Sequence, residues 1–132
     1  MGNQSPVYRF TIRELRPGAR SSAVIVRGAG RLGLVKVSAV LRSEIYFVSG
    51  NIAPGELDLL GRSLFSDPVT QEFQIETCPI SSPAGENVIE IAYHPGVTDP
   101  VADEILRSAR ELGISGLVAA STGQRYEIIC AD

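Results

Sequence analysis

The segment Val88–Ile129, VIEIAYHPGVTDPVADEILRSARELGISGLVAASTGQRYEII, decides how the rest of the chain is read. Ile89, Ile91 and Tyr93 alternate with Glu90 and Ala92, the two-residue period of a half-buried strand. His94-Pro95-Gly96 turns the chain, and Thr98-Asp99-Pro100 opens a helix. Asp99 stands where a carboxylate can cap free N–H groups, and Pro100 stands at the first helical position, where its missing donor costs nothing. Ile105, Ala109 and Leu112 form the inward stripe, with Asp103 and Glu104 early and Arg107 and Arg110 late, an order that suits the helix dipole. Gly113 stops the helix, because glycine alone enters positive φ freely. A second β segment then ends in Arg125-Tyr126-Glu127-Ile128-Ile129.

That unit occurs twice. Ile25, Arg27, Ala29, Leu32 and Gly33 reappear as Ile105, Arg107, Ala109, Leu112 and Gly113, each eighty positions on. The same shift takes Ala39 to Ala119 and Tyr46 to Tyr126. Upstream, Pro17-Gly18 matches Pro95-Gly96, so the earlier copy is two residues shorter near its helix start. The matches fall on a turn, a helix face, a helix stop and a strand, the positions physics constrains most. A repeat on that scale governs the reading of every shorter motif.

With 132 residues and 44% hydrophobic content, the chain can bury a core without metal or disulfide. A net charge of −3 gives no basic face for nucleic acid, so none is expected as a partner. Arg9, Arg13, Arg16 and Arg20 cluster early but read as the solvated side of a strand and its turn. Two cysteines, Cys78 and Cys130, are too few for a disulfide framework, and no signal peptide or long apolar run is seen. The expectation is a cytoplasmic protein with reduced thiols and no membrane partner.

Met1 to Pro6 is polar and expected to fray. Tyr8, Phe10 and Ile12 alternate as a strand, and Leu15 falls out of phase, which suggests a bulge near Arg13-Glu14. The repeat makes Ser21 to Leu32 a helix packed through Ile25, Ala29 and Leu32, despite Val24, Val26, Gly28 and Gly30. Val35 to Leu41 and Ile45 to Val48 form a hairpin or one bent strand, broken at Arg42-Ser43. Pro54 opens a helix with the stripe Leu57, Leu60, Leu64 and with Leu59 and Phe65 beside it, and Asp67-Pro68 ends it. Phe73, Ile75 and Thr77 make the next strand.

Gly28-Ala29-Gly30-Arg31-Leu32-Gly33 is a literal GxGxxG after the strand-like Ala23–Val26. A dinucleotide site requires a helix after those glycines and an acidic residue about 20 positions on. A valine-rich segment follows and the acid is absent, so the glycines are expected to let a helix pack closely on the sheet. His94 has no catalytic partner, and with Cys78 and Cys130 it lacks metal-ligand spacing. Asp103, Glu104 and Glu111 read as a solvated helix face. No catalytic, cofactor-binding or metal residue is therefore assigned.

The order of elements resembles the small PurS subunit of phosphoribosylformylglycinamidine (FGAM) synthase. Thr98-Asp99-Pro100 is similar to that family's helix start, and Gly123-Gln124-Arg125-Tyr126-Glu127-Ile128 to its second β segment. Leu64-Phe65-Ser66-Asp67-Pro68-Val69-Thr70-Gln71-Glu72 resembles its closing stretch. Ala19-Arg20-Ser21-Ser22 lacks the Asp-Pro start, and the second copy has no closing helix. The resemblance implies an α+β fold of tandem PurS-like, ferredoxin-like units, with an antiparallel sheet and helices mainly on one face. A complete unit would span 7–78, a linker 79–87 and a partial second unit 88–132, as in the N-terminal region of a large synthetase subunit that has absorbed its PurS.

The implied role is non-catalytic, in de novo purine biosynthesis. The domain would bridge the synthetase and glutaminase parts of an amidotransferase-type ligase, with ATP and magnesium held on the synthetase and no cofactor in this chain. A homo-oligomer is a further possibility under this resemblance. The alternative is an ACT-like module sensing a small molecule at a paired interface, and a third reading is a nucleotide-binding enzyme using the GxGxxG. The expected core is Phe10, Ile12, Ile25, Leu32, Val37, Leu57, Leu60, Leu64, Phe73, Ile89, Ile91, Ile105, Ala109 and Leu112.

Overall fold

The structure, a computed structural model, describes residues 6–15, 26–28, 30–33, 37–78, 87–92 and 99–130. Strands β1 (Val7–Glu14) and β2 (Val37–Gly50) precede helix α1 (Pro54–Leu59), which opens into a π-helical turn over Leu60–Phe65. Then come β3 (Gln71–Cys78), β4 (Val88–Ala92), α2 (Pro100–Glu111) and β5 (Leu117–Cys130). The strands make one open antiparallel sheet in the order β3-β1-β2-β5-β4, an α+β fold. Among the described residues no helix is long and apolar enough to cross a membrane.

Residues directly opposed across antiparallel strands share a face, so the pairings assign the two sides. Ile75–Phe10–Tyr46–Thr122 is one row, and Phe73–Ile12–Glu44–Gln124–Ile91 is the next. This side carries α1 and α2. Phe10, Ile12, Val48, Leu57, Leu60, Phe65, Ile105, Ala109, Ile114 and Leu117 form its core. The Phe65 ring stacks on Tyr46 with centroids 4.4 Å apart and meets Phe10 edge-on at 4.8 Å. The other side carries Arg9, Thr11, Ser43 and Ile45, all buried.

The π turn explains which side chains α1 presents inward. Ser66 N–H donates to Gly61 O, five residues back, at 3.0 Å, where an α-helix would reach back four. The extra residue rotates the last turn, so Phe65 is buried and Leu64 only half-buried, although simple helical spacing selected Leu64. Asp67-Pro68 follows immediately, as expected of a stop.

Several other expectations change. β2 is one continuous strand through Arg42 and Ser43, with its irregularities at Val37/Ala39 and Ser49/Gly50. No bulge falls at Arg13-Glu14, because β1 pairs in unbroken register with β3 out to Glu14↔Gln71. Ile89 and Ile91 are 51% and 56% exposed: they face the helix side of the sheet, but β4 lies at its edge and no described helix covers them. Leu112 is 37% exposed because the helix stop turns the chain there, and Ile114 takes the buried position, its N–H donating to Ala109 O at 2.9 Å. Leu32 is 81% exposed, at the corresponding stop before Gly33. Arg9 belongs to the interior and not to a solvated face. Ile25, Ala29, Arg16, Arg20, Tyr93, His94 and 79–86 of the expected linker lie outside the described residues, as do the side chains of Val37 and Cys130.

Candidate functional site

Strand period places Arg9 opposite Phe10 on β1, and Glu90 opposite its neighbours Ile89 and Ile91 on β4. Both point away from the helices. At the usual strand spacing a flat sheet would hold β1 and β4 about 14 Å apart. The Arg9 guanidinium nevertheless reaches both oxygens of Glu90: Nη1 donates to Oε1 at 2.9 Å, and Nη2 pairs with Oε2. The sheet therefore curls toward this side. Arg9 Nε donates to Thr11 Oγ1 at 3.4 Å, the guanidinium lies 6.0 Å from the Phe47 ring centroid, and Arg125 Nη1 stands 3.8 Å from Glu90 Oε2. Arg125 Nε is buried without a hydrogen-bond partner.

The Arg9 hydrogen bond holds the Glu90 carboxyl below the usual carboxylate range, against the opposing effect of burial. The same bond raises Arg9. A carboxylate saturated by a guanidinium fork is a poor general base, since its lone pairs are occupied and its proton affinity is low. The cluster thus works as a clamp across the curled sheet, and Arg125 shares its carboxylate.

On the helix side, a groove of about 390 Å³ opens between β4, β5 and the start of α2, with Glu44, Tyr46, Ile91, Val101, Thr122 and Gln124 among its walls. Asp99 fixes its end. One carboxylate oxygen accepts the Val101 N–H at 3.0 Å, the N-cap bond, and the other accepts Thr122 N–H at 2.7 Å and Thr122 Oγ1–H at 2.9 Å. β4 ends at Ala92 opposite Gly123, so Asp99 supplies the acceptor for the next donor along β5. Burial, then the nearby Glu44, pushes the Tyr46 hydroxyl up. Glu44 pairs with Arg42 at 2.9 Å. The walls offer apolar area and hydrogen-bonding groups, and the Thr122 hydroxyl is already donated to Asp99.

The GxGxxG stretch is helical at Val26–Gly28 and Gly30–Arg31 and ends at Gly33, whose φ is 88°. A phosphate-cradling loop would need the glycines before a helix begins. A Cβ added at Gly28 or Gly30 would meet nothing within 4 Å, so these two glycines are not required for close packing on the sheet either. Cys78 is half-buried, and burial raises its thiol despite the pull of Arg9 in the other direction. Asp103, Glu104 and Glu111 are exposed, and Glu104 pairs with Arg107 at 3.4 Å. Among the described residues no three His, Cys, Asp or Glu side chains are grouped to hold a metal ion. Sequence reasoning missed the Arg9–Glu90 clamp. The available signal was a lone charge inside each of two apolar alternations, opposite in sign.

No protein-family model matches this chain, and neither does any curated protein.

Proposed function

We propose that the chain is a non-catalytic assembly domain of the PurS kind, with two related units joined through one sheet. Its role would be to bridge the synthetase and glutaminase of FGAM synthase, in the cytoplasm, with ATP and magnesium on the synthetase. The observation that carries the reading is the strand order β1-β2-β5-β4, in which first strands flank and second strands meet. Glu44 pairs with Gln124 at the middle of that junction, and these are the positions related by the shift of eighty. Phe10↔Tyr46 and Ile89↔Tyr126 set Phe10 and Ile89, 79 positions apart, opposite the two tyrosines that the shift of eighty relates. The helix stops agree in detail. Gly33 and Gly113 both have φ 88°, and Leu32 N–H to Gly28 O corresponds to Leu112 N–H to Ser108 O.

The test is reconstitution. The chain is mixed with a PurS-deficient FGAM synthetase and a glutaminase, and FGAM formation is measured with glutamine or with ammonia as nitrogen source. A bridging domain raises the glutamine-dependent rate and leaves the ammonia-dependent rate unchanged. No effect on either rate ends this reading.

The groove favours one second reading, the ACT-like sensor. It requires an amino acid or nucleotide to raise the melting temperature, since a ligand that binds only the folded state must stabilise it.

A further inference from the structure

We propose that β4 is a strap that lifts as a unit from an otherwise intact sheet and so opens the groove, with the Arg9–Glu90 fork as its buckle. β4 is five residues long at the sheet edge, and among the described strands it pairs with β5 alone. Ile89 and Ile91 are more than half exposed, and of the five residues Val88 alone is half-buried. Apolar burial therefore does little to hold the strand. Segments with few buried contacts are the ones that open while the rest of a fold stays closed.

The buckle acts against that opening. Glu90 gives both oxygens to Arg9, which stands on β1 with β2 and β5 between them. The Arg9 side chain is 5% exposed, so lifting β4 leaves a buried guanidinium without its main acceptor, a cost that keeps the strap shut. The surroundings are fastened without β4. Asp99 ties α2 to β5 through the Thr122 N–H and Oγ1–H, and β5 pairs with β2 along its length. Ile91 and Ala92 wall the groove that Tyr46, Thr122 and Val101 also line. Lifting β4 thus removes one wall and leaves the others standing. The strap rests on the sheet and its ion pair, and not on the synthase role.

Residue-resolved hydrogen exchange on the full chain tests this, because β5 carries its own control. The Ile128 N–H to Asn87 O bond, at 2.8 Å, phases the ladder. Gln124 and Tyr126 therefore turn their N–H groups to β4, and Arg125 and Glu127 turn theirs to β2. After correction for intrinsic rates, Gln124 and Tyr126 are expected to exchange at least tenfold faster than Arg125 and Glu127. Urea below the unfolding transition should speed only Arg125 and Glu127, since lifting β4 exposes little surface. Glu90→Gln should speed Gln124 and Tyr126 at least tenfold further. Should that variant misfold, Arg9→Met, which leaves no buried cation unpaired, is expected to do the same. Exchange of all four amides at one rate with one urea dependence would make the sheet a single unit and overturn the proposal. Gln124 and Tyr126 amides indifferent to loss of the fork would overturn it too.

Discussion

Arg9 and Glu90 lie 81 positions apart in sequence, on strands separated by two others, yet the guanidinium of one closes on both oxygens of the other. The Arg9 side chain is 5% exposed and Glu90 31%, so the pair is unevenly buried. Glu90→Ala leaves a buried guanidinium without its main acceptor and is expected to cost about 1–3 kcal/mol in urea denaturation. Arg9→Met in the same background should recover part of that loss, because it removes the orphaned charge. Additive single and double mutants would show the clamp to be energetically idle.

The same pair sets a pH dependence. The folded Glu90 carboxyl titrates below its unfolded value, so its contribution is complete above the ordinary glutamate range, about 4.3, and is lost as pH falls through the lower folded value. Arg9 is raised, and its contribution holds at every pH below the unfolded arginine value. Wild-type stability should therefore fall more steeply below pH ~4.3 than that of Glu90→Gln, with the two curves running parallel above it. Parallel curves in acid would remove Glu90 as the cause.

The glycines separate by geometry. Gly28 and Gly30 are helical with open space where a Cβ would go, so each alanine substitution should stabilise by about 0.5–1 kcal/mol. Gly50 has φ 146°, and a Cβ there would overlap the Gly116 backbone, so Gly50→Ala should cost more than about 2 kcal/mol. Thermal melts of the three variants measure this. A loss of stability at Gly28 or Gly30 would restore a structural demand on the GxGxxG.

Burial ranks the apolar substitutions differently from helical spacing alone. Leu60 is fully buried and Ile114 is 1% exposed, and either one changed to alanine should cost about 2–5 kcal/mol. Leu112→Ala should cost under about 1 kcal/mol, since much of that side chain already meets water. Equal losses at Leu112 and Ile114 would show that the helix stop directs the chain otherwise.

Local signals in the sequence were strong wherever one residue type had one physical use. Asp99, Pro100 and Gly113 delimit α2 as their chemistry requires, and the alternation in β1, β3 and β4 located those strands. Alternation could not say whether the apolar side of β4 is covered, because coverage depends on a neighbour and not on the strand. Ile89 and Ile91 read like Phe10 and Ile12 for that reason, although only the latter lie under α1 and its π turn. The π turn was equally invisible, since one inserted residue leaves the leucine spacing intact and moves only Phe65 inward. The Arg9–Glu90 clamp needed the strand order and the curl of the sheet, which no local pattern encodes.

Asp99 joins what was legible to what was not. Its capping role follows from Thr-Asp-Pro alone, and the structure adds a second duty, accepting two bonds from Thr122 across the end of β4. Asp99→Ala removes the cap and leaves the Thr122 N–H unsatisfied in a part-buried site, so the loss should be about 2–4 kcal/mol, beyond an ordinary cap deletion. Asp99→Asn keeps one acceptor oxygen, which can take the Val101 or the Thr122 N–H but not both, while its NH2 group can only donate. It should fall between wild type and alanine. Thr122→Val isolates the hydroxyl bond, with an expected cost of about 1 kcal/mol, and little further loss should appear when it is combined with Asp99→Ala. Full additivity in that double mutant, measured by chemical denaturation, would show that the carboxylate caps α2 without holding it to β5.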